Sequence, residues 1–478
     1  MDKIAVELVN YSFRYRMAEE WVLKDINLKL HYGELMLLSG SSGEGKSTLL
    51  HSLNRIIPHI VPGEEEGELL IDETPSRDKK PGEISGVIGS VLQNADSQII
   101  NYIVEDEIAF GCENRNMEPE RIRERIDLVC KRLGLEPQWF TRILSGGQKQ
   151  RLITASILAM EQKILVFDEP LANLDLEGAH TLLKLLKELV REGYAILLIE
   201  HRLDVVLPYA DTVYWLEKGS IYPYSSSPEK PLGQGIIKNE AEPKKTEASK
   251  PCFRLEHMGY SVDGRQILKD LSFTLYQGER IVILGENGCG KTTFLRLLAR
   301  LLAPSEGKLE QFLEPGRRRP SGDWYKKLGY VYQNPNYQLF MPTVTQEVAY
   351  QSSGDEVTEE MVHRFGLEAL RHRHPQSLSE GQKRRLTIAC IMAMEPKVLL
   401  LDEPTVGQDY NGLKNIVHQL NTLHEKHNNT MITITHDFRC ARAFADRILW
   451  MKQGRLYKDG GPELAEEYFE ELQTSFIE

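Results

Sequence analysis

The sequence predicts an α/β protein of two tandem domains, each built on a mainly parallel sheet. Three observations predict it. A set of short motifs occurs twice in the same order, short apolar runs end at glycine loops or acidic pairs, and helical stretches follow those runs. Gly40-Ser41-Ser42-Gly43-Glu44-Gly45-Lys46-Ser47 returns as Gly285-Glu286-Asn287-Gly288-Cys289-Gly290-Lys291-Thr292, 245 residues later. Leu144-Ser145-Gly146-Gly147-Gln148 returns as Leu378-Ser379-Glu380-Gly381-Gln382, and Asp168-Glu169-Pro170 as Asp402-Glu403-Pro404, both 234 residues later. Large, similar offsets in one order indicate duplicated domains and exclude a short-period solenoid. The smaller second offset makes the second copy shorter after its glycine loop.

The apolar runs suit buried parallel strands. Glu34-Leu35-Met36-Leu37-Leu38 and Arg280-Ile281-Val282-Ile283-Leu284 lead into the glycine loops. Lys163-Ile164-Leu165-Val166-Phe167 and Lys397-Val398-Leu399-Leu400-Leu401 lead into the acidic pairs. Ala195 to Ile199 and Thr430 to Ile434 stop just before Glu200-His201 and Thr435-His436. Groups at the carboxyl ends of parallel strands converge on one sheet edge, where ligands bind.

At 478 residues the chain is too long for one compact domain. The copies are expected to span 1–224 and 251–478. Residues 225–250, rich in Ser, Pro, Lys and Glu, read as a mobile linker that keeps the copies close enough to pair. A net charge of −12 argues against a protein that mainly grips nucleic acid. No apolar stretch approaches the roughly 18–20 residues of a membrane helix, and the first residues do not show the long apolar segment expected of a signal peptide. The six scattered cysteines read as reduced thiols of an intracellular protein.

Both glycine loops fit G-x-x-x-x-G-K-(S/T) between a strand and a helix, the pattern of a P-loop. Glycines let backbone N–H groups curl around phosphate oxygens, and the helix start adds a favourable dipole. Lys46 and Lys291 should reach the β- and γ-phosphates. Ser47 and Thr292 should ligate magnesium together with Asp168 and Asp402. Glu169 and Glu403 are candidates to orient or deprotonate the attacking water.

Ser145-Gly146-Gly147-Gln148 with Lys149-Gln150-Arg151, just before the acidic strand, resembles the signature of ABC-transporter ATPases, and the likeness covers nearly the whole chain. The resemblance implies ATP and Mg2+ as ligands. It also implies, in each copy, a mainly parallel sheet core, an antiparallel β subdomain and a helical subdomain, with the copies paired head-to-tail. Each ATP would then lie between one copy's loop (40–48 or 285–293, including Thr48 and Thr293) and the other copy's signature. Ser145, Gly146, Gly147 and Gln148 would serve the nucleotide of Lys291, and Ser379, Glu380, Gly381 and Gln382 that of Lys46.

Gln93 and Gln333 resemble the family's magnesium-touching glutamines, His201 and His436 its switch histidines, and Asp175 and Asp409 its interface aspartates. Tyr15 falls where an aromatic ring stacks on adenine. Aligning the second copy puts Val262 there, with Tyr260 a substitute two residues earlier on the same face. Two departures stand out. Glu380 replaces a signature glycine, which is expected to tune the site and not abolish it. Gln408 replaces the leucine before the interface aspartate, which reads as minor. Both copies keep Lys, Asp, Glu and His, so two hydrolysing sites are expected.

Gln93-Asn94-Ala95-Asp96-Ser97-Gln98 and Gln333-Asn334-Pro335-Asn336-Tyr337-Gln338, with the segments that follow, are similar to the ATPases of energy-coupling factor (ECF) transporters. Those import vitamins and transition-metal ions. The resemblance implies a peripheral place on the cytoplasmic membrane face. It also implies a transmembrane scaffold subunit and a substrate-binding membrane subunit as partners, and no nucleic acid. Ile99-Ile100-Asn101-Tyr102-Ile103 and Leu339-Phe340-Met341 are expected to border a partly exposed groove for a partner helix. Two rivals stay open: a non-transport ABC ATPase acting on ribosomes or DNA, and a sugar importer's fused ATPase.

Overall fold

A computed structural model describes residues 3–16, 18–41, 43–93, 95–172, 174–224, 250–313, 322–408 and 410–477. The expected linker at 225–250 therefore lies almost wholly outside the described residues, as do Ser42 and Asp409. The chain divides into two compact units, Met1–Gly233 and Gln234–Glu478.

In the first unit, six strands form one sheet in the order Ser220–Pro223, Thr212–Glu217, Leu35–Gly40, Ala195–Ile199, Ile164–Asp168, Ile88–Val91. All neighbours are parallel except the pair at the Ser220–Pro223 edge. Leu35–Gly40, Ile164–Asp168 and Ala195–Ile199 are buried at every residue. That accounts for their unbroken apolar character: a parallel strand covered on both faces has no polar side to show. The second unit repeats the order with Arg455–Gly460, Arg447–Lys452, Arg280–Leu284, Thr430–Ile434, Val398–Asp402 and Leu328–Val331.

A separate antiparallel sheet packs in each unit. Leu23–His31, Ile4–Tyr15, Gly63–Ile71 and Thr74–Pro75 form the first, and Arg265–Tyr276, Pro251–Val262 and Glu306–Gln311 the second. Ile4–Tyr15 seats Val6, Leu8, Tyr11 and Phe13 in a core shared with the parallel sheet.

Between the glutamine and the acidic strand each unit inserts helices. In the first they include the short Ala95–Gln98 and the longer Val104–Asn114, Pro119–Leu133 and Gly146–Ala159, and in the second Val344–Ala349, Asp355–Arg364 and Glu380–Met392. Local chemistry sets their ends. Pro119 opens its helix, where a missing N–H is harmless, and Gly134 closes it in the left-handed conformation. The expected parallel core, antiparallel subdomain and helical subdomain are thus present in both copies. Among the described residues no helix is long and apolar enough to cross a membrane.

Candidate nucleotide sites

Strand order builds the site. In the first copy the strands ending at Gly40, Ile199 and Asp168 are neighbours, so the glycine loop, Glu200-His201 and Asp168-Glu169 emerge side by side. The strands ending at Leu284, Ile434 and Asp402 do the same in the second copy.

Each loop is closed by its own lysine. Lys46 Nζ donates to the carbonyls of Gly40 and Ser41, both at 2.8 Å, and Lys291 Nζ to those of Gly285 and Glu286 at 2.7 and 2.8 Å. Gly45 and Gly290, at φ +107° and +102°, turn the chain into the helices Lys46–Leu53 and Lys291–Leu298. A side chain there would be strained and would press on Leu23 or Leu268. Thr48 is buried with its hydroxyl 3.0 Å from that of Tyr15, placing the tyrosine over the helix that carries Lys46 and Ser47. Glu44 accepts from the Lys218 amide, while Cys289 is buried against Gly285.

The acidic pairs are deeply placed. Burial and the charge of Glu169 push Asp168 up to about 7, and burial with Glu403 pushes Asp402 up to about 6. For Glu169 burial opposes ionisation, but His201, Lys46 and Gln93 outweigh it and hold the carboxyl below its ordinary value. His436, Lys291 and Arg384 do the same for Glu403. Glu169 and Glu403 have left-handed backbones at φ +48° and +53°, pinned by amides donating to Ile199 O and Ile434 O at 2.9 and 3.1 Å. Non-glycine residues in that conformation carry strain that surrounding structure must sustain.

Gln93 and His201 both reach Glu169: Gln93 Nε2 donates to Oε2 at 2.6 Å, and His201 Nε2 lies 2.9 Å from Oε1. In the second copy Gln333 Nε2 donates to Glu403 Oε2 at 3.3 Å. His436 Nε2 lies 3.4 Å from Oε1, outside hydrogen-bond geometry. Asp402 instead is held from two sides, by Thr292 Oγ1 at 3.2 Å and by Tyr330 Oη at 3.4 Å.

The signatures start helices. Ser145 and Ser379 cap Gly146–Ala159 and Glu380–Met392, each accepting from the amide of Gln148 or Gln382. Each glutamine side chain accepts in return from its serine's amide. Gly147 faces Leu174, whereas Gly381 faces Gln408, whose amide donates to Gly381 O at 3.1 Å. Gln408 therefore does more than the minor replacement expected of it. Asp175 caps Leu176–Arg191 by accepting from Gly178 N at 2.9 Å.

In the antiparallel sheets, Phe13 pairs with Leu23 and Tyr260 with Leu268. Leu23 and Leu268 stand against equivalent loop glycines, so Tyr260 matches Phe13, and Val262, 46% exposed, matches Tyr15.

Three residues escape a motif-based reading. Glu200, fully buried, accepts from Leu171 N and His201 N at 2.9 and 2.8 Å, tying His201 to the segment after the acidic pair. Burial and the charge of Glu169 raise its pKa. A carboxylate ending an apolar strand was its only signal. Arg384 is buried and donates to the backbone of Tyr332, at 2.8 Å, and of Gln333. Tyr330, under Asp402, was hidden in an apolar strand.

The ABC transporter family description fits residues 23–172 and 268–406. The chain is 32% identical over 495 residues to the "Putative HMP/thiamine import ATP-binding protein YkoD" of Bacillus subtilis, covering 94% of this chain and 90% of that one. It is 32% identical over 523 residues to a "Putative ABC transporter ATP-binding protein" of Methanosarcina mazei, covering 95% and 88%. In fold it is similar to a chain of the "Model of ribosome-bound archaeal Pelota and ABCE1", with TM-score 0.71 and 20% identity over 96% of this chain and 80% of that one. The doubled family match and the full-length relatives lead to one conclusion: the chain belongs to the ABC transporter ATP-binding family and is an ATPase with two tandem ABC domains.

Proposed function

We propose that this chain is the ATP-hydrolysing motor of an ECF-type importer, acting through separate membrane subunits. The observation that carries the reading is an exposed apolar surface just after each glutamine. In the first copy Ile100 and Tyr102 are 65% and 62% exposed, and in the second Tyr337 and Phe340 are 78% and 62% exposed. In the second copy these rings border a pocket with Leu339, Tyr350, Ile391 and Met394. An apolar groove of this kind suits an amphipathic helix of a partner. Similarity to an import ATPase along nearly the full length supports the same reading. The cargo would be a vitamin, a vitamin precursor or a transition-metal ion, with the name of the Bacillus relative favouring a thiamine precursor. No residue of this chain would touch it. The motor would sit peripherally on the cytoplasmic face, bind no nucleic acid, and have domains 1–224 and 251–478 joined by a linker.

The two copies pair head-to-tail in this proposal. Ser145 and Gly147 complete the site of Lys291, and Ser379 and Gly381 that of Lys46, because a capped helix start offers donors to a γ-phosphate. Lys46 and Lys291 exchange loop carbonyls for phosphate oxygens, and Tyr15 stacks on the base. Glu169 and Glu403 take a proton from the water that attacks the γ-phosphorus, ADP departs, and His201 and His436 hold the phosphate side. Asp175 and Asp409 cross between the copies.

Ser47, Thr292, Asp168 and Asp402 offer hard oxygen donors, with Gln93 and Gln333 beside them, and fit magnesium. The buried, mutually repelling carboxylates of each acidic pair gain from a nearby dication. When bound, that ion neutralises charge on the triphosphate.

The test is purification of the tagged chain from its own cells in detergent. An integral scaffold protein with a small membrane partner is expected to accompany it, and to be lost in a Tyr337→Glu, Phe340→Glu variant. Recovery with ribosomes and without membrane proteins overturns the reading.

A further inference from the structure

The two signature helices balance their lysine in different ways. In the first copy Lys149 pairs with Asp96, from the segment after Gln93, and position 146 is glycine. In the second copy the equivalent of Asp96 is the neutral Asn336. Lys383 Nζ donates to Asn336 Oδ1 at 2.9 Å and to Glu380 Oε1 at 3.2 Å. The carboxylate that meets the lysine thus stands on the short helix Ala95–Gln98 in the first copy and on the signature helix start in the second. Lys383 is more buried than Lys149, 9% against 18% exposed, and Glu380 is 32% exposed where Asp96 is 59%. Behind it lies the buried Arg384, where the first copy has Gln150.

We propose that Glu380 is the relocated partner of Lys383 and that the Glu380–Lys383–Asn336 trio is a positioning device. It fixes the second signature's charge and links the helix start to the segment carrying the exposed Tyr337. Glu380 is then no loose anion facing a triphosphate. Its charge is offset by Lys383, and an acid at its first turn also suits the helix dipole. The same tie gives the partner-facing segment a direct hold on the signature, through Asn336 in one direction and Glu380 in the other. Which nucleotide feels the trio rests on the head-to-tail reading. The charge relocation itself does not.

The test is a double-mutant cycle on the full chain with Glu380→Gly and Asn336→Asp, reading kcat and KM for ATP. Asn336→Asp alone sets two carboxylates on one lysine and is expected to raise KM about fivefold, while Glu380→Gly alone leaves Lys383 without an acid partner and lowers kcat/KM about threefold. The double variant rebuilds the arrangement of the first copy and is expected to return within about twofold of the parent. Folding is checked by thermal melting, and Glu380→Gln, which keeps the shape but not the charge, is included and should resemble Glu380→Gly. Multiplicative effects, with the double variant worse than either single, overturn the proposal. Repeating the cycle in Glu403→Gln and Glu169→Gln backgrounds separates the two readings. Coupling seen only with Glu403→Gln, where turnover at the Lys46 site remains, agrees with cross-pairing. Coupling seen only with Glu169→Gln leaves the trio standing and overturns the head-to-tail assignment.

Discussion

The first copy grips its glutamate and the second grips its aspartate. Glu169 is held by Gln93 at 2.6 Å and His201 at 2.9 Å, while the matching contacts of Glu403 stretch to 3.3 and 3.4 Å. In exchange Asp402 accepts from Thr292 and Tyr330. Where the second copy has Tyr330 the first has Ser90, whose hydroxyl turns away to Asn54 at 2.9 Å. One duplicated plan has thus been set in two hydrogen-bonding arrangements. The first has short contacts to its glutamate from a glutamine and a histidine. The second has longer contacts to its glutamate and two hydrogen bonds to its aspartate.

The largest effect should come from Glu169→Gln with Glu403→Gln, which is expected to lower ATP turnover by at least about a hundredfold in a phosphate-release assay. The single variants sharpen the comparison. Glu169→Gln should remove more than half of the activity and Glu403→Gln the smaller share, and equal halves would break the contrast. Next comes Glu200→Gln, measured in the Glu403→Gln background. It replaces one acceptor oxygen with an NH2 that cannot accept from the backbone amides, and is expected to cost about tenfold in kcat with KM for ATP nearly unchanged. A change in KM alone would deny the link through His201. The smallest effect is at the base. Tyr15→Ala should weaken ATP binding at the first copy about fivefold, the scale of one aromatic contact, and Val262→Tyr should tighten it at the second. Titration with a fluorescent ATP analogue measures both, and no response to Tyr15→Ala would remove the stacking role.

The duplication, the sheet core and the loop–strand–signature sets were legible because they rest on local pattern: buried parallel strands must be apolar throughout, and phosphate loops need glycine at fixed places. What escaped depends on packing between distant segments. Tyr330 looks like one more core aromatic until the fold sets its hydroxyl under Asp402. Gln408 gains meaning only when its amide meets Gly381 O, and Lys383 only when Asn336 and Glu380 converge on it. The alignment that sets Val262 opposite Tyr15 agrees with the strand pairing, in which Tyr260 meets Leu268 as Phe13 meets Leu23.

The lysines resting on their own loop carbonyls carry a consequence. Each ammonium bridges two carbonyls, of Gly40 and Ser41 or of Gly285 and Glu286, and so cross-links the turn of its own glycine loop. Nucleotide arrival is then a swap of acceptors and not an ordering of chain. Those bonds engage carbonyl oxygens and not the loop amides, so protection of the amides from solvent deuterium should rise only when a phosphate-bearing ligand is added.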